Sequence, residues 1–420
     1  MNNLAELIKT KCPEGVHYKP LWSLTAWDKK FNAVDRSKQS KVIDYHYFLA
    51  GDLKPLIRED GTIKILTTNI SNVYTYEELV EGFVSEGEIV CLPWGGNPVI
   101  QYYNGKFVTA DNRIATSLNK NVLNNKFLYY YLNSKIDEIS SFYRGSGIKH
   151  PDMSKVLDLM IPVPPIEVQN EIVETLDSFN GLIENLQYEF ELRNTQYEHY
   201  RESLLDFKKD NAFVNQNNRS LIKYVEITEV AFTFIGLVTT MTKHYVDDGV
   251  LLLHNSDIKE NKIVLKESIY LDRSFANSYT NRMHEKYDIV TVHTGDIGTA
   301  AVIDGPFVGS LGFATIVTRV IDRNKVNPFY LCYYLNSYHA KKQVYLMVKS
   351  DRNNLNLKDF NKIIVPIPPI DIQNKIVSTL DTLFSICFDS SISIAKEIEY
   401  RQRQYEYYRN KLLTFKELKV

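Results

Sequence analysis

A chain of 420 residues with 49 basic and 51 acidic side chains carries a formal net charge of -2, which gives no support to a uniformly basic nucleic-acid binder or an acidic disordered chain. Its hydrophobic fraction of 44% is that of an ordinary globular protein, and apolar runs such as Val250 to Leu253 fall far short of the roughly 18 residues a membrane span needs. Four cysteines, Cys12, Cys91, Cys332 and Cys387, never form a CxxC, so the spacing suggests buried thiols rather than a zinc site or disulfide framework.

Taken in chain order, the N-terminal MNNLAELIKTKCPEG, with Glu6, predicts a short amphipathic helix rather than a secretory signal, and hence a cytoplasmic chain. Residues 1–160 then show short apolar runs broken by turn residues, such as TIKILTTNIS and EGEIVCLPWGGNPVI, which predict a small, irregular, mostly β domain ending in a helix near Asn124 to Ser140. Residues 161–210 open with IPVPPIEVQNEIVETLD and continue with Ile172, Leu176, Phe179, Ile183, Leu186 and Phe190 at spacings of 4, 3, 4, 3 and 4, then Tyr197, Tyr200, Leu204 and Phe207. That is a heptad seam about 54 Å long, and such a stripe needs a partner to be stable in water. The same stretch holds 4 basic against 11 acidic residues, so the acid is concentrated there.

Residues 211–364 predict a second mostly β domain, with GVLLLHNSDI and GFATIVTRVI as strands and a helix near Pro328 to Val344. Residues 365–420 repeat the proline motif as VPIPPIDIQNKIVSTLD, with 11 of 17 aligned positions identical to the first copy. The helix ends repeat as well, ELRNTQYEHYRESLLDFK against EYRQRQYEYYRNKLLTFK, and FLYYYLNS echoes YLCYYLNS. In the second copy Ile376, Leu380 and Leu383 start one heptad frame. Ile398, Tyr405, Tyr408, Leu412 and Phe415 follow a frame displaced by four residues, a stutter meeting near Cys387, Ser390 and Ser391. The prolines before each helix hold the chain extended and stop helix from spreading backwards.

Two diverged α/β domains alternating with two similar long helices, each opened by a P-x-P-P-[ILV]-x-x-Q motif, resemble the specificity (S) subunit of Type I restriction-modification systems. The resemblance covers essentially the whole chain. It implies an α+β fold: target recognition domains at 1–160 and 211–364, and two long helices at 161–210 and 365–420 pairing as an antiparallel coiled coil about a pseudo-two-fold axis. It implies a non-catalytic chain that reads a bipartite asymmetric site on double-stranded DNA and docks two methyltransferase (M) subunits, with restriction motor (R) subunits as further partners. S-adenosylmethionine, ATP and Mg²⁺ would belong to those partners, with no cofactor or metal bound by this chain. Pro164, Pro165 and Gln169, and again Pro368, Pro369 and Gln373, match the family's hinge motif.

Reading bases needs side chains that reach groove edges, with phosphate contacts fixing register. In the first block the glycine turn PWGGNP offers Trp94 and Asn97, and FYRGSGIKH offers Tyr143, Arg144, Ser146, Lys149 and His150 just before the hinge. In the second block KSDRNNLN offers Lys349, Arg352, Asn353 and Asn354 at the aligned place, while Thr239, Thr240, Lys243 and His244 in GLVTTMTKHY and His293 and Thr294 in VHTGDIG complete the set. A methyltransferase of its own would need an [ND]PP[YF] tetrapeptide; neither that nor a P-loop nor an HExxH occurs. The heptads alone would also suit a coiled-coil adaptor or scaffold with no DNA role, which leaves the divergence of the two large blocks unaccounted for.

Overall fold

The computed structural model describes residues 2–208, 211–214, 219–348, 354–388 and 394–418. Among the helices used below are α1 (Asn2–Lys11), α2 (Asn125–Ser134), α3 (Ile136–Ser141), α4 (Ile166–Leu205), α5 (Pro328–Asn336), α6 (Tyr338–Met347), α7 (Ile370–Phe388) and α8 (Ile394–Leu412). The chain divides into two compact units, Met1–Leu186 with Ile398–Val420, and Gln187–Glu397. The expected N-terminal helix is α1. Each expected single helix before a hinge is instead a pair, α2 with α3 and α5 with α6, because the chain breaks at Lys135 and at the helix-capping Ser337. No described helix is long and apolar enough to cross a membrane.

The first unit is built on a six-stranded sheet in the order β2-β7-β5-β6-β3-β4. Its strands are β2 (Thr25–Trp27), β3 (Ile63–Leu66), β4 (Tyr74–Thr75), β5 (Ser85–Pro93), β6 (Gln101–Thr109) and β7 (Asn112–Ser117), and only β3 and β6 run parallel. The run Ile89 to Leu92 is continuously apolar because both sheet faces are covered. Val90 and Leu92 join Phe127 and Leu128 of α2 and Val168, Ile172 and Leu176 of α4, while Ile89 and Cys91 pack with Phe107 and Ile114. Burial pushes the Cys91 thiol up to about 12.

The second unit splits its strands into two four-stranded sheets. One runs β12 (Ala231–Ile235), β21 (Ile316–Val320), β18 (Ile289–Thr291), β19 (Ala300–Val302); the other runs β13 (Tyr245–Val246), β17 (Ile269–Leu271), β14 (Val250–Leu253), β20 (Leu311–Gly312). Leu253 of the second sheet packs with Val290, Ala301 and Val317 of the first. The two front blocks therefore share a mixed α/β character and differ in sheet layout.

Both units carry the same hinge. In the first, β1 (His17–Pro20) pairs antiparallel with β10 (Met160–Val163), and in the second β11 (Lys223–Glu226) pairs with β22 (Ile364–Ile367). Pro162 and Pro366 sit inside these ladders opposite Tyr18 and Tyr224. Pro165 and Pro369 then start the helices, their carbonyls accepting from Gln169 and Gln373 amides at 3.1 Å each.

The long helices pack as antiparallel segments within each unit. In the first, Phe179 of α4 stacks on Tyr408 of α8 at 5.6 Å, and Leu176 shares a core with Leu413. In the second, Tyr197 of α4 meets Phe384 of α7 at 5.9 Å, and Cys387 lies against the carbonyl of Arg193 at 3.7 Å, so one helix climbs as the other descends. Ser390 and Ser391, where the two frames meet, lie outside the described residues; Ile376, Leu380 and Leu383 fall on α7, and Ile398, Tyr405, Tyr408 and Leu412 on α8. One seam position differs from expectation: Tyr200 is 43% exposed, and its neighbour Arg201, 9% exposed, takes the inward place. A charged residue is accepted there because Arg201 bonds to Glu260 at 3.1 Å and Glu202 at 3.0 Å and lies 5.7 Å from the Tyr197 ring.

Candidate nucleic-acid interface

The hinge motif positions its unit through one side chain. Gln169 is fully buried, its Oε1 accepting from the Asn124 amide at 2.9 Å and its Nε2 donating to Val122 O and Pro164 O at 2.8 Å each. Gln373 repeats the set with the Asn327 amide, Lys325 O and Pro368 O at 2.9, 2.8 and 2.8 Å. Asn124 and Asn327 in turn cap α2 and α5, and their Nδ2 groups donate to Asn170 and Asn374. The final Asp of each motif is also used: Asp177 accepts from the Tyr130 hydroxyl, and Asp381 from Tyr333 at 2.6 Å. A glutamine whose buried side chain closes three backbone groups, one fully buried and two partly so, ties the hinge to the front-block helix, since any tilt would strain all three bonds.

In the first unit the loop after β5 and the hairpin β8 (Tyr143–Arg144) with β9 (His150–Pro151) are joined. The Gly96 amide donates to Lys149 O at 3.0 Å, and His150 Nδ1 meets Trp94 O at 2.7 Å. Tyr143, 6% exposed, spends its hydroxyl on Pro93 O at 2.8 Å; it fastens the hairpin and does not face solvent. Asn97, Arg144, Ser146, Lys149 and His150 are exposed, and Trp94 is half-buried. A cleft of about 630 Å³ beside the hairpin is lined by Lys29, Lys30, Trp94, Arg144 and His150, and Asn97, Ser146 and Lys149 lie outside it. Asp152 at its rim lies 3.7 Å from Arg144.

Behind the cleft the indole of Trp94 lies 4.2 Å from the Arg113 guanidinium and 5.5 Å from Lys29 Nζ. Arg113 is buried and faces Asp28 at 3.6 Å, which also accepts from the Ile114 amide at 3.0 Å and from the Tyr47 hydroxyl. Burial pushes the Asp28 carboxyl up, against the pull of those partners. Lys29, Lys30 and Arg113 were not among the residues singled out from sequence. Lys29 and Lys30 are the one adjacent basic pair in residues 1–160 and follow Trp27 closely, which is the signal that could have found them.

In the second unit the equivalent loops also meet. Thr294 pairs with Asn354 in an antiparallel bridge, and the Leu355 amide donates to His293 O at 2.9 Å. His293 is half-buried, with Nδ1 2.8 Å from the Thr294 hydroxyl, and burial pushes its pKa down. Lys349, Arg352 and Asn353 lie outside the described residues. Thr239, Thr240 and Lys243 are exposed, and His244 stacks on Phe275 at 3.9 Å. Among the described residues no hydrogen bond or ring contact joins that quartet to His293 or Thr294.

The family model described as the Type I restriction modification DNA specificity domain matches twice, over residues 50–191 and 252–400. This chain belongs to that family. Each match ends inside one of the long helices, near the start of the repeated helix-end segments. A Haemophilus influenzae chain assigned as a type I restriction enzyme specificity subunit is 28% identical over 86% of this chain and 91% of its own length. The MjaVIII specificity subunit of Methanocaldococcus jannaschii is 22% identical, covering 90% and 92%. The crystal structure of a Type-I restriction-modification S subunit from M. genitalium shares the fold with a TM-score of 0.61 at 18% identity, covering 95% of this chain and 96% of that one. Like its relatives, the chain is a specificity subunit, not a catalytic one.

Proposed function

We propose that the two units each read one half of a bipartite, asymmetric DNA target and that the chain docks two methyltransferase subunits, giving sequence specificity to a multisubunit methyltransferase and, with a restriction motor subunit, to an endonuclease. S-adenosylmethionine, ATP and Mg²⁺ belong to those partners in this reading. One observation carries it: in each unit the loop at the end of a central strand is tied to the loop before the hinge, and in the first unit that joint gathers Lys29, Lys30, Arg144 and His150 around Trp94, with Lys149 exposed on the same hairpin. Such clustering offers phosphate contacts from the lysines and guanine recognition from an arginine, and the neutral total charge hides it. The proline hinges and the Gln169 and Gln373 clamps hold each reading loop at a set angle to its long helix.

The test is methylome sequencing of cells carrying the chain with its methyltransferase partner, followed by titration of the assembled complex on the duplex found. The reading expects a split motif and binding that weakens with salt by about 0.9 log units per log unit for each phosphate engaged. A continuous motif, or affinity indifferent to salt, would overturn it. An equal affinity for any protein-coated or DNA-free surface would instead favour the adaptor reading.

A further inference from the structure

At the tip of the β8–β9 hairpin, between the basic side chains of Arg144 and Lys149, stands an aliphatic residue, Ile148, that is 70% exposed. Exposed apolar residues are common when scattered singly, and this unit has others, Leu49 and Ile70 among them. Ile148 differs in being held. The hairpin register pairs Tyr143 with Pro151 and Arg144 with His150, and Gly145 turns tightly at φ +141° beneath the Ile148 carbonyl. The Gly96–Lys149 and Trp94–His150 hydrogen bonds clamp the flanks of the tip. The side chain itself leans over Gly95, where a methyl group would come within 2.9 Å of Ile148 Cγ2. A short two-stranded ribbon pinned at its flanks, with charged neighbours and one aliphatic tip, has the shape that a DNA major groove admits.

Of the groups lining that groove, one is apolar: the C5-methyl of thymine. We infer that Ile148 is a specificity-determining residue that reads a thymine methyl in the half-site of the first unit, while Arg144 and Lys149 engage the backbone or base edges on either side. The inference rests on the DNA-reading function proposed above. Glycine at position 95 is part of the device, because it leaves room for the isoleucine to lie where it does.

The assembled methyltransferase complex is titrated on its own duplex, with each thymine of the target replaced in turn by deoxyuridine, which removes only the methyl group. One replacement is expected to weaken wild-type binding by about five-fold, the scale of burying one methyl against an aliphatic side chain. Ile148→Ser is expected to bind both duplexes with the same affinity. Gly95→Ala, which displaces Ile148 and meets the His150 ring only at ordinary contact distance, is expected to shrink the thymine-to-uracil ratio in the same way. Arg144→Ala and Lys149→Ala weaken both duplexes alike and keep the ratio. A target with no thymine sensitive to its methyl, or an Ile148→Ser variant that keeps the wild-type ratio, overturns the inference while leaving DNA reading intact. Wild-type complex that shows no preference for its own duplex brings down the reading beneath it as well.

Discussion

The roots of the two long helices and the sheets that they carry have diverged by very different amounts. Gln169 and Gln373 make the same three hydrogen bonds to within 0.1 Å, to main-chain atoms in equivalent places, whereas one unit has a single six-stranded sheet and the other two four-stranded ones. The difference teaches which side chains a duplicated protein can vary. A glutamine that satisfies buried backbone groups has one solution, and any substitute leaves those groups unpaired. A sheet whose task is to present loops has many solutions, provided that its inner face stays apolar.

The strongest way to break this comparison is at the clamp. Gln373→Leu strands the Asn327 amide and the carbonyls of Lys325 and Pro368, and a loss of about 3 kcal/mol is expected from one buried and two partly buried groups that lose this partner. Gln169→Leu should cost a similar amount in the other unit. Hydrogen exchange resolved along the chain checks both, with each substitution loosening its own hinge. A large effect from one and none from the other would show that the matched geometry does not mean matched energetics.

A second test sits where the units do not match. His284, buried in the second unit with Nδ1 2.8 Å from the Ser310 hydroxyl, has its pKa lowered to about 4, chiefly by burial, with Asp288 raising it and Arg319 lowering it. Its folded pKa lies below that of the unfolded chain, so the unfolded state binds the extra proton first. The stability it contributes is complete above pH 6.5 and is lost as pH falls towards 4, up to about 3 kcal/mol in all. Unfolding followed by exchange between pH 7 and 4 should show the second unit weakening, with His284→Gln flattening that dependence. An unchanged slope in the variant would assign the acid sensitivity elsewhere.

Much of this architecture is legible in the sequence because the duplication is. The heptad spacing and the proline runs mark both helices and their starts, and those features need only local chemistry. Spacing alone puts Tyr200 on the seam, yet Arg201 occupies it, because the fit depends on Glu260 from a distant hairpin. The partners of Gln169 were equally hidden, although an asparagine stands before the first aromatic of both YYLNS helices. In the candidate interface, Trp94, Arg144 and His150 are legible in the sequence as residues of the glycine-rich stretches PWGGNP and FYRGSGIKH. Lys29 and Lys30 show in the sequence only as an adjacent basic pair; that they and Arg113 belong to this surface follows from the tertiary contacts that bring β2 and β7 beside that loop.

The exposed patch sharpens the contrast on the reading side. Replacing Arg144 and Lys149 together with alanine should leave folding within about 0.5 kcal/mol, as surface changes do, and reduce the salt slope of DNA binding by about 2 if each engages one phosphate. Titration at several salt concentrations measures that slope. Loss of stability instead of slope would make the patch part of the fold rather than of a reading surface.

The smallest effect is expected at the chain ends. In the first unit the C-terminal residues extend the hinge ladder: Val16 N donates to Lys416 O, Leu418 N to Val16 O, both at 2.9 Å, and the Tyr18 hydroxyl to Phe415 O at 3.1 Å. Gly15, at φ +113°, allows this approach, since a Cβ there would stand 2.4 Å from Lys416 O. Tyr224, which takes the place of Tyr18 in the second hinge, is 48% exposed. Removing residues 416–420 deletes two backbone hydrogen bonds near solvent and keeps the Tyr18 contact, so a loss of about 1 kcal/mol is expected. It should fall on the first hinge, with the Val16 amide exchanging faster and the amides around Tyr224 unchanged. Gly15→Ala should reproduce the loosening without shortening the chain. If the two hinges loosened together, the tail would be acting through the paired helices and not through the strand edge it lies on.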